Sequence, residues 1–113
     1  MEISEDQLAG NVTKINLSGR MDIGGVGQIE TKLAGMTAAP RTAIIIDMSQ
    51  VPYMSSIGIR ALLTNAKAVG RRGGKLVIFG LQDNVKNVLT MSGIDQIIRI
   101  LDTQESAAQA VTA

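Results

Sequence analysis

Asp47-Met48-Ser49-Gln50-Val51-Pro52-Tyr53-Met54-Ser55-Ser56-Ile57-Gly58-Ile59 is the stretch whose reading decides the fold. It follows a run, Ala43 to Met48, that holds three consecutive isoleucines and suits a central strand covered on both faces. After it, Ile59, Leu62, Leu63, Ala66 and Val69 recur at the spacing of one helical stripe. Between the two, Pro52 disfavours helix at Val51, and Ser55-Ser56 offers an N-cap followed by a first-turn hydroxyl. A serine therefore sits at the positive end of a helix, at the rim of a sheet. Backbone N–H groups there tolerate an anion, so a phosphoryl group on that serine would be accommodated.

The flanking segments extend the pattern in both directions. Ile3 to Leu8 reads as a strand and Gly10-Asn11 as a turn. Thr13, Ile15 and Leu17 alternate with Lys14 and Asn16, a period-two strand ending at Ser18-Gly19. A helix is predicted from about Asp22, carrying Val26, Ile29, Leu33 and Met36, with a loose first turn at Gly24, Gly25 and Gly27. Gly70 to Gly74 is a turn, Lys75 to Phe79 a strand, and Asp83 the cap of a short helix bearing Val85, Val88 and Leu89. Ile97, Ile98 and Ile100 are predicted to form the last strand. Asp102 and Glu105 have the spacing of a capping box before a final alanine-rich helix. Strands alternating with helices after a hairpin predict an α/β domain with a mostly parallel sheet.

Composition excludes several chemistries. A chain of 113 residues with 45% apolar and 19% charged residues is one globular domain, expected to span 1–113. A net charge of +1 provides no field for nucleic acid or anionic membrane. Zero cysteine removes disulfides and thiolate metal sites, and zero histidine removes the commonest general base. Met1 to Asp6 is acidic, unlike a signal peptide, and no run reaches the roughly 18 apolar residues of a membrane span. A cytoplasmic protein without membrane insertion is the expectation.

No catalytic or cofactor site assembles from the remaining motifs. Gly24, Gly25 and Gly27 complete neither G-x-G-x-x-G nor G-x-x-x-x-G-K-S/T, and a mobile strand-to-helix turn accounts for them. Asp22, Asp47 and Asp83 are explained separately as caps and turn formers rather than as metal ligands. Ser55 and Ser56 have no evident activating base, so the chain is not expected to be an enzyme. Arg71, Arg72 and Lys75 read as a solvated basic edge, since one tyrosine and one phenylalanine make no base-stacking platform. Direct nucleic-acid binding is not expected. On the helix after Ser56, Ile57, Ala61, Thr64 and Ala68 fall opposite the sheet-facing stripe, with Arg60, Lys67 and Arg71 on one flank. That leaves a shallow apolar contact surface ringed by charge.

Asp47-Met48-Ser49-x-Val51-x-x-Met54-Ser55-Ser56-Ile57-Gly58-Ile59-x-x-Leu62 resembles the signature of STAS domains, particularly bacterial anti-sigma-factor antagonists. Ser18-Gly19-Arg20-Met21-Asp22, Gly73-Gly74-Lys75-Leu76, and Val88-Leu89 with Gly93-Ile94 match in order and spacing, so the resemblance covers the chain. It implies a single STAS-like α/β domain, with a mixed, mostly parallel sheet and helices mainly on one side. It also implies a protein that binds an anti-sigma factor, often a GHKL-type serine kinase, and so releases a sigma factor. The kinase would phosphorylate Ser56, with Ser55 the second choice, and a PP2C-type phosphatase would restore it. Carried onto this chain, the partner-binding set is Asp22, Gly24, Ser55, Ser56, Ile57, Arg60, Ala61 and Thr64, with no cofactor. Two departures stand beside the phosphorylated position: Ser55 where the family often has aspartate, and Ile57 where serine or threonine is frequent. The alternatives are a STAS subunit of a signalling or lipid-transport complex that does not cycle its phosphate, and a small nucleotide-binding domain using the glycine-rich turn.

Overall fold

A computed structural model describes residues 1–112. Strands β1 (Glu2–Leu8) and β2 (Val12–Ser18) form an antiparallel hairpin around Gly10-Asn11. Helix α1 (Ile23–Met36), strand β3 (Ala43–Gln50), helix α2 (Ser56–Arg71), strand β4 (Lys75–Phe79), helix α3 (Asp83–Met91), strand β5 (Ile100–Leu101) and helix α4 (Gln104–Thr112) follow. The sheet order is β1-β2-β3-β4-β5, with every pairing after the first parallel.

Because spatial order follows chain order, each strand–helix–strand crossover repeats the same step with the same hand, which sets α1, α2 and α3 on one face. The two apolar clusters follow from this. Ile44, Ile46 and Met48 of β3 pack with Val26, Ile29 and Leu33 of α1, Leu62 and Val69 of α2, and Val85 and Leu89 of α3. Ile45 points the other way and joins Val12, Val77, Phe79 and the α4 residues Ala107 and Val111. The isoleucine run is therefore covered on both faces, as its composition requires, and Ile44, Ile45 and Ile46 are fully buried. Each such side chain contributes about 1.5–3 kcal/mol of burial.

Several local expectations are corrected. Ile97 and Ile98 are not strand: after Gly93 the chain turns through a short 3₁₀ helix, Ile94–Gln96. That turn sends Ile98 into the core and leaves Ile97 exposed, so that only Ile100 and Leu101 pair with β4. The α3 cap is Gln82, with Asp83 inside the first turn. The last helix has its capping box one residue later than expected. There the Ser106 amide donates to Thr103 Oγ1 at 3.1 Å and the Thr103 amide donates to Ser106 Oγ at 3.3 Å. The buried stripe of α2 is Gly58, Leu62, Asn65 and Val69, while Ile59, Leu63 and Ala66 are only half-buried. Opposite it Thr64 is exposed, whereas Ile57, Ala61 and Ala68 are half-buried against neighbouring elements.

Polar contacts lock the far ends of α1 and α2 together. Thr37, which closes α1, donates its hydroxyl to Asn65 Oδ1 at 2.7 Å in a buried bond, and Asn65 donates back to the Ala61 carbonyl at 2.7 Å. Arg72 is turned inward rather than solvated: its Nη2 donates to the carbonyls of Thr37 and Arg41, each at 2.6 Å. A guanidinium spent on carbonyls in this way is a staple between connections, because its donors replace water for groups that would otherwise be buried unpaired.

The start of α1 is not the loose turn its glycines suggest. Gly25 is buried, and a Cβ placed on it would lie 2.0 Å from the Arg20 carbonyl oxygen, whereas at Gly27 nothing stands within 4 Å. One glycine permits a close approach and the other is only a helical position without a side chain. Gly25→Ala is expected to lower stability by about 1–3 kcal/mol or more through overpacking. Gly27→Ala is expected to raise it by about 0.5–1 kcal/mol. Urea unfolding of the two variants measures both, and equal effects of the same sign would contradict the assignment.

Candidate functional site

The β2–α1 and β3–α2 connections run side by side at the carboxyl ends of their strands and are joined by backbone bonds. The Gly19 amide donates to the Gln50 carbonyl and the Met21 amide to the Tyr53 carbonyl, both at 2.9 Å. Ser55 then donates twice to one acceptor, the Met21 carbonyl, from its amide at 3.0 Å and from its hydroxyl at 2.8 Å. Gly58, one turn further on, lets α2 sit against this junction: a Cβ there would lie 2.9 Å from Met21 Cβ and 3.0 Å from Met54 Cγ. On the other side Asn84 donates to the Pro52 carbonyl at 2.7 Å and Gln82 to the Ser49 carbonyl at 3.0 Å. The start of α2 is thus gripped from both flanks.

Ser55 is half-buried and occupies the N-cap position, yet its hydroxyl makes no cap. This corrects the expectation that it would satisfy the first turn: the side chain is committed to Met21. Among the described residues the leading N–H groups of α2 are consequently left without a side-chain acceptor, on a helix whose N-terminal end carries partial positive charge. Ser56, the first residue of α2, is exposed. Of the two hydroxyls, the one held by a carbonyl is the poorer acceptor for a modifying group and the free one the better.

The neighbouring helix is finished differently. Asp22 caps α1, accepting from the Gly25 amide at 2.8 Å. That bond, with the Arg20 guanidinium beside it at 3.6 Å, holds the Asp22 carboxyl below its ordinary value. Arg20 also lies over the Tyr53 ring, 4.2 Å from its centroid. One amide of the glycine-rich turn is thus already taken by a carboxylate.

The expected partner residues are distributed over the heads and facing sides of α1 and α2. Ile57, Arg60 and Ala61 line one wall of a groove of about 380 Å³, whose other wall is Ile23, Val26, Gly27 and Glu30 of α1. Thr64 lies further along, in a depression with Glu30, Thr31, Ala34 and Asn65. Ser55 and Ser56 stand at the head of α2, while Asp22 caps α1 and the exposed Gly24 lies in its first turn. Sequence reasoning left out Ile23, 76% exposed at the groove. Its one signal was an isoleucine outside the stripe of Val26, Ile29 and Leu33. No group of three or more acidic, histidine or cysteine side chains is placed to hold a metal among the described residues, and none of their helices is long and apolar enough to cross a membrane.

The profile of the STAS domain family matches residues 5–107. BtrV of Bordetella bronchiseptica, which bears the name of an anti-sigma factor antagonist, is 28% identical over 110 residues, covering 97% of this chain and 94% of its own. Among solved structures, a Thermotoga maritima protein described as an anti-sigma factor antagonist superposes with a TM-score of 0.90 at 17% identity, over 98% of this chain and 95% of that one. The Bacillus cell fate determinant SpoIIAA in its phosphorylated form superposes at 0.71 with 20% identity, over 96% and 98% of the two chains. At these identities the structural likenesses establish the fold.

A carboxyl held below its ordinary value stabilises the folded chain at neutral pH and loses that contribution as pH falls through the lowered value. The Asp22 carboxyl is therefore expected to titrate below 3.8 by carbon NMR. Protection of the Gly25 amide from exchange should decline over the same window. Asp22→Asn, whose amide oxygen also caps, is expected to keep that protection and abolish its acid dependence. Asp22→Ala should lose it at every pH, and an acid-independent Gly25 amide in the unmodified chain would contradict the cap.

Proposed function

The chain belongs to the STAS-domain family, and we propose that within it the protein acts as an anti-sigma-factor antagonist switched by phosphorylation of Ser56. The observation that carries this reading is the placement of that serine: exposed on the first turn of α2, directly before the half-buried Ile57 at the head of an apolar groove. Two likenesses support it, the name borne by BtrV and the phosphorylated form in which SpoIIAA is known. The partner is an anti-sigma factor of the GHKL serine-kinase type, and a PP2C-type phosphatase resets the switch.

Charge and solvation supply the mechanism. In the unmodified protein, one hydroxyl beside apolar neighbours enters a protein contact at little polar cost. Phosphorylation brings about −1.5 to −2 charges and three acceptor oxygens to the same point. The domain tolerates them, because the group meets the uncapped, positive end of α2, an interaction of about 0.3–1 kcal/mol. The partner must desolvate that charge without a matching cation. A penalty of about 4 kcal/mol raises Kd by about a thousandfold, enough to dissolve a sub-micromolar complex. The partner is released while the fold is retained.

Ser55 has a positioning role in this scheme. Its hydroxyl replaces the commoner aspartate, and by donating to Met21 it fixes the start of α2 without adding a negative charge beside Ser56.

Calorimetry with the GHKL-type anti-sigma factor encoded in the same genome tests the proposal. The unmodified chain and Ser56→Ala are expected to bind alike, and Ser56→Asp at least about tenfold more weakly. With ATP, the kinase should add one phosphate to the unmodified chain and none to Ser56→Ala. Phosphate transferred to Ser56→Ala, or equal binding of the phosphorylated and unmodified chains, would contradict it.

A further inference from the structure

Helix α2 carries no aspartate or glutamate, and the cation nearest Ser56 along it is Arg60. Both residues are exposed, and Arg60 follows Ser56 by four positions, on the same side of the helix. Among the described residues Arg60 belongs to no ion pair. The charged groups on neighbouring elements are placed otherwise. Arg20 lies beside Asp22 at 3.6 Å and over the Tyr53 ring. Glu30 shares the groove with Arg60 but makes no ion pair with it. Asp83 and Lys86 belong to α3, which meets the β3–α2 connection through Gln82 and Asn84.

We propose that Arg60 is the internal seat of the phosphate carried by Ser56, a latch that closes only in the modified protein. The inference rests on the reading of Ser56 as the phosphorylated residue. Helical side chains lean toward the N-terminus, so that of Arg60 covers the turn beginning at Ser56. Residues four apart have Cβ atoms about 5–6 Å from each other, within the combined reach of a phosphoserine and an arginine. The guanidinium fork then donates two parallel N–H groups to two phosphate oxygens. Anion first and cation four residues later is also the better order on a helix, since it agrees with the dipole. Ser55 keeps the pair unopposed: its hydroxyl is held by the Met21 carbonyl and brings no carboxylate to compete for Arg60. Closing the latch draws Arg60 from the groove wall it forms with Ile57 and Ala61. One modification thus alters the surface at two points. The head of α2 gains about −1.5 to −2 charges, and the groove loses its cation while keeping Glu30. A single guanidinium offsets only part of that charge, so the head of α2 stays net negative and still repels a partner.

The second ionisation of the phosphate reads the pair directly, because a cation beside it favours the dianion. The full chain, with phosphoserine installed at position 56 during translation, is titrated by phosphorus NMR, and thermal melts confirm that each variant is folded. The phosphate is expected to titrate below its ordinary value of about 6. Arg60→Gln should raise it by about 0.2–0.7 pH units, and Arg60→Lys should keep part of the lowering. Lys67→Gln, roughly 16 Å further along the same helix, should leave it unchanged. Identical titration with and without Arg60 would overturn the latch, as would an equal effect of Lys67→Gln, which would assign the lowering to general charge. No kinase enters this measurement, so the two readings fail separately. Loss of the Arg60 effect, with phosphate transfer to Ser56 by the anti-sigma factor intact, would remove the latch and leave the switch. Transfer that avoids Ser56 would remove the switch and the latch with it.

Discussion

The Met21 carbonyl, accepting from both the amide and the hydroxyl of Ser55, is the constraint on which the rest of the site depends. It ties the connection after β2 to the connection after β3 at the point where α2 begins. With the glycine at position 58 removing the side chain that would hold the helix away, α2 settles directly on Met21 and Met54. The direction of the first turn follows. One serine is drawn inward and consumed, and the next is turned out to solvent at a helix end with no side-chain cap among the described residues.

Two helix starts lie side by side here with opposite electrostatic finishes. The first is closed by its own carboxylate, whose proton affinity is lowered by the amide it accepts from and by the neighbouring guanidinium. The second is left open. Under the proposed switch that asymmetry is useful: an added phosphate has a place to go on one helix, and the other is already satisfied. The far ends of the same helices are cross-linked by Thr37, Asn65 and Arg72, so a change at Ser56 meets a pair of walls with little freedom to yield. Under the proposed mechanism, the phosphate acts on the contact and not on the scaffold.

Much of this was legible in the amino-acid order, for physical reasons that can be named. Three isoleucines in succession admit only a position with apolar cover on both sides, and Ile45 facing α4 while its neighbours face α1 and α2 is that position. Pro52 and the paired serines marked where α2 begins, although β3 runs to Gln50 rather than Met48 and the buried stripe starts at Gly58 rather than Ile59. What escaped were features decided by partners far away in the chain. Asn65 was unreadable as a buried residue because its partner, Thr37, lies 28 residues earlier. Arg72 resembled a surface charge until carbonyls 31 and 35 residues away claimed it. Ile97 and Ile98 have a composition that suits strand or turn equally, and the geometry after Gly93 decided between them. Gly25 and Gly27, alike in the sequence, differ because only one has a carbonyl pressed against it.

The central claim is that the head of α2 is held rigidly with Ser56 outward, so that charge placed there alters a surface and leaves the domain intact. Amide NMR of the chain carrying phosphoserine at position 56, compared with the unmodified chain, tests this most directly. The account predicts shifts confined to the first turn of α2 and the adjoining Met21 to Gly24 segment, with the β3, β4 and α4 amides unmoved and equally protected from exchange. Shifts spread through the sheet, or loss of protection in β3, would show that the phosphate acts by disrupting the fold and would contradict it.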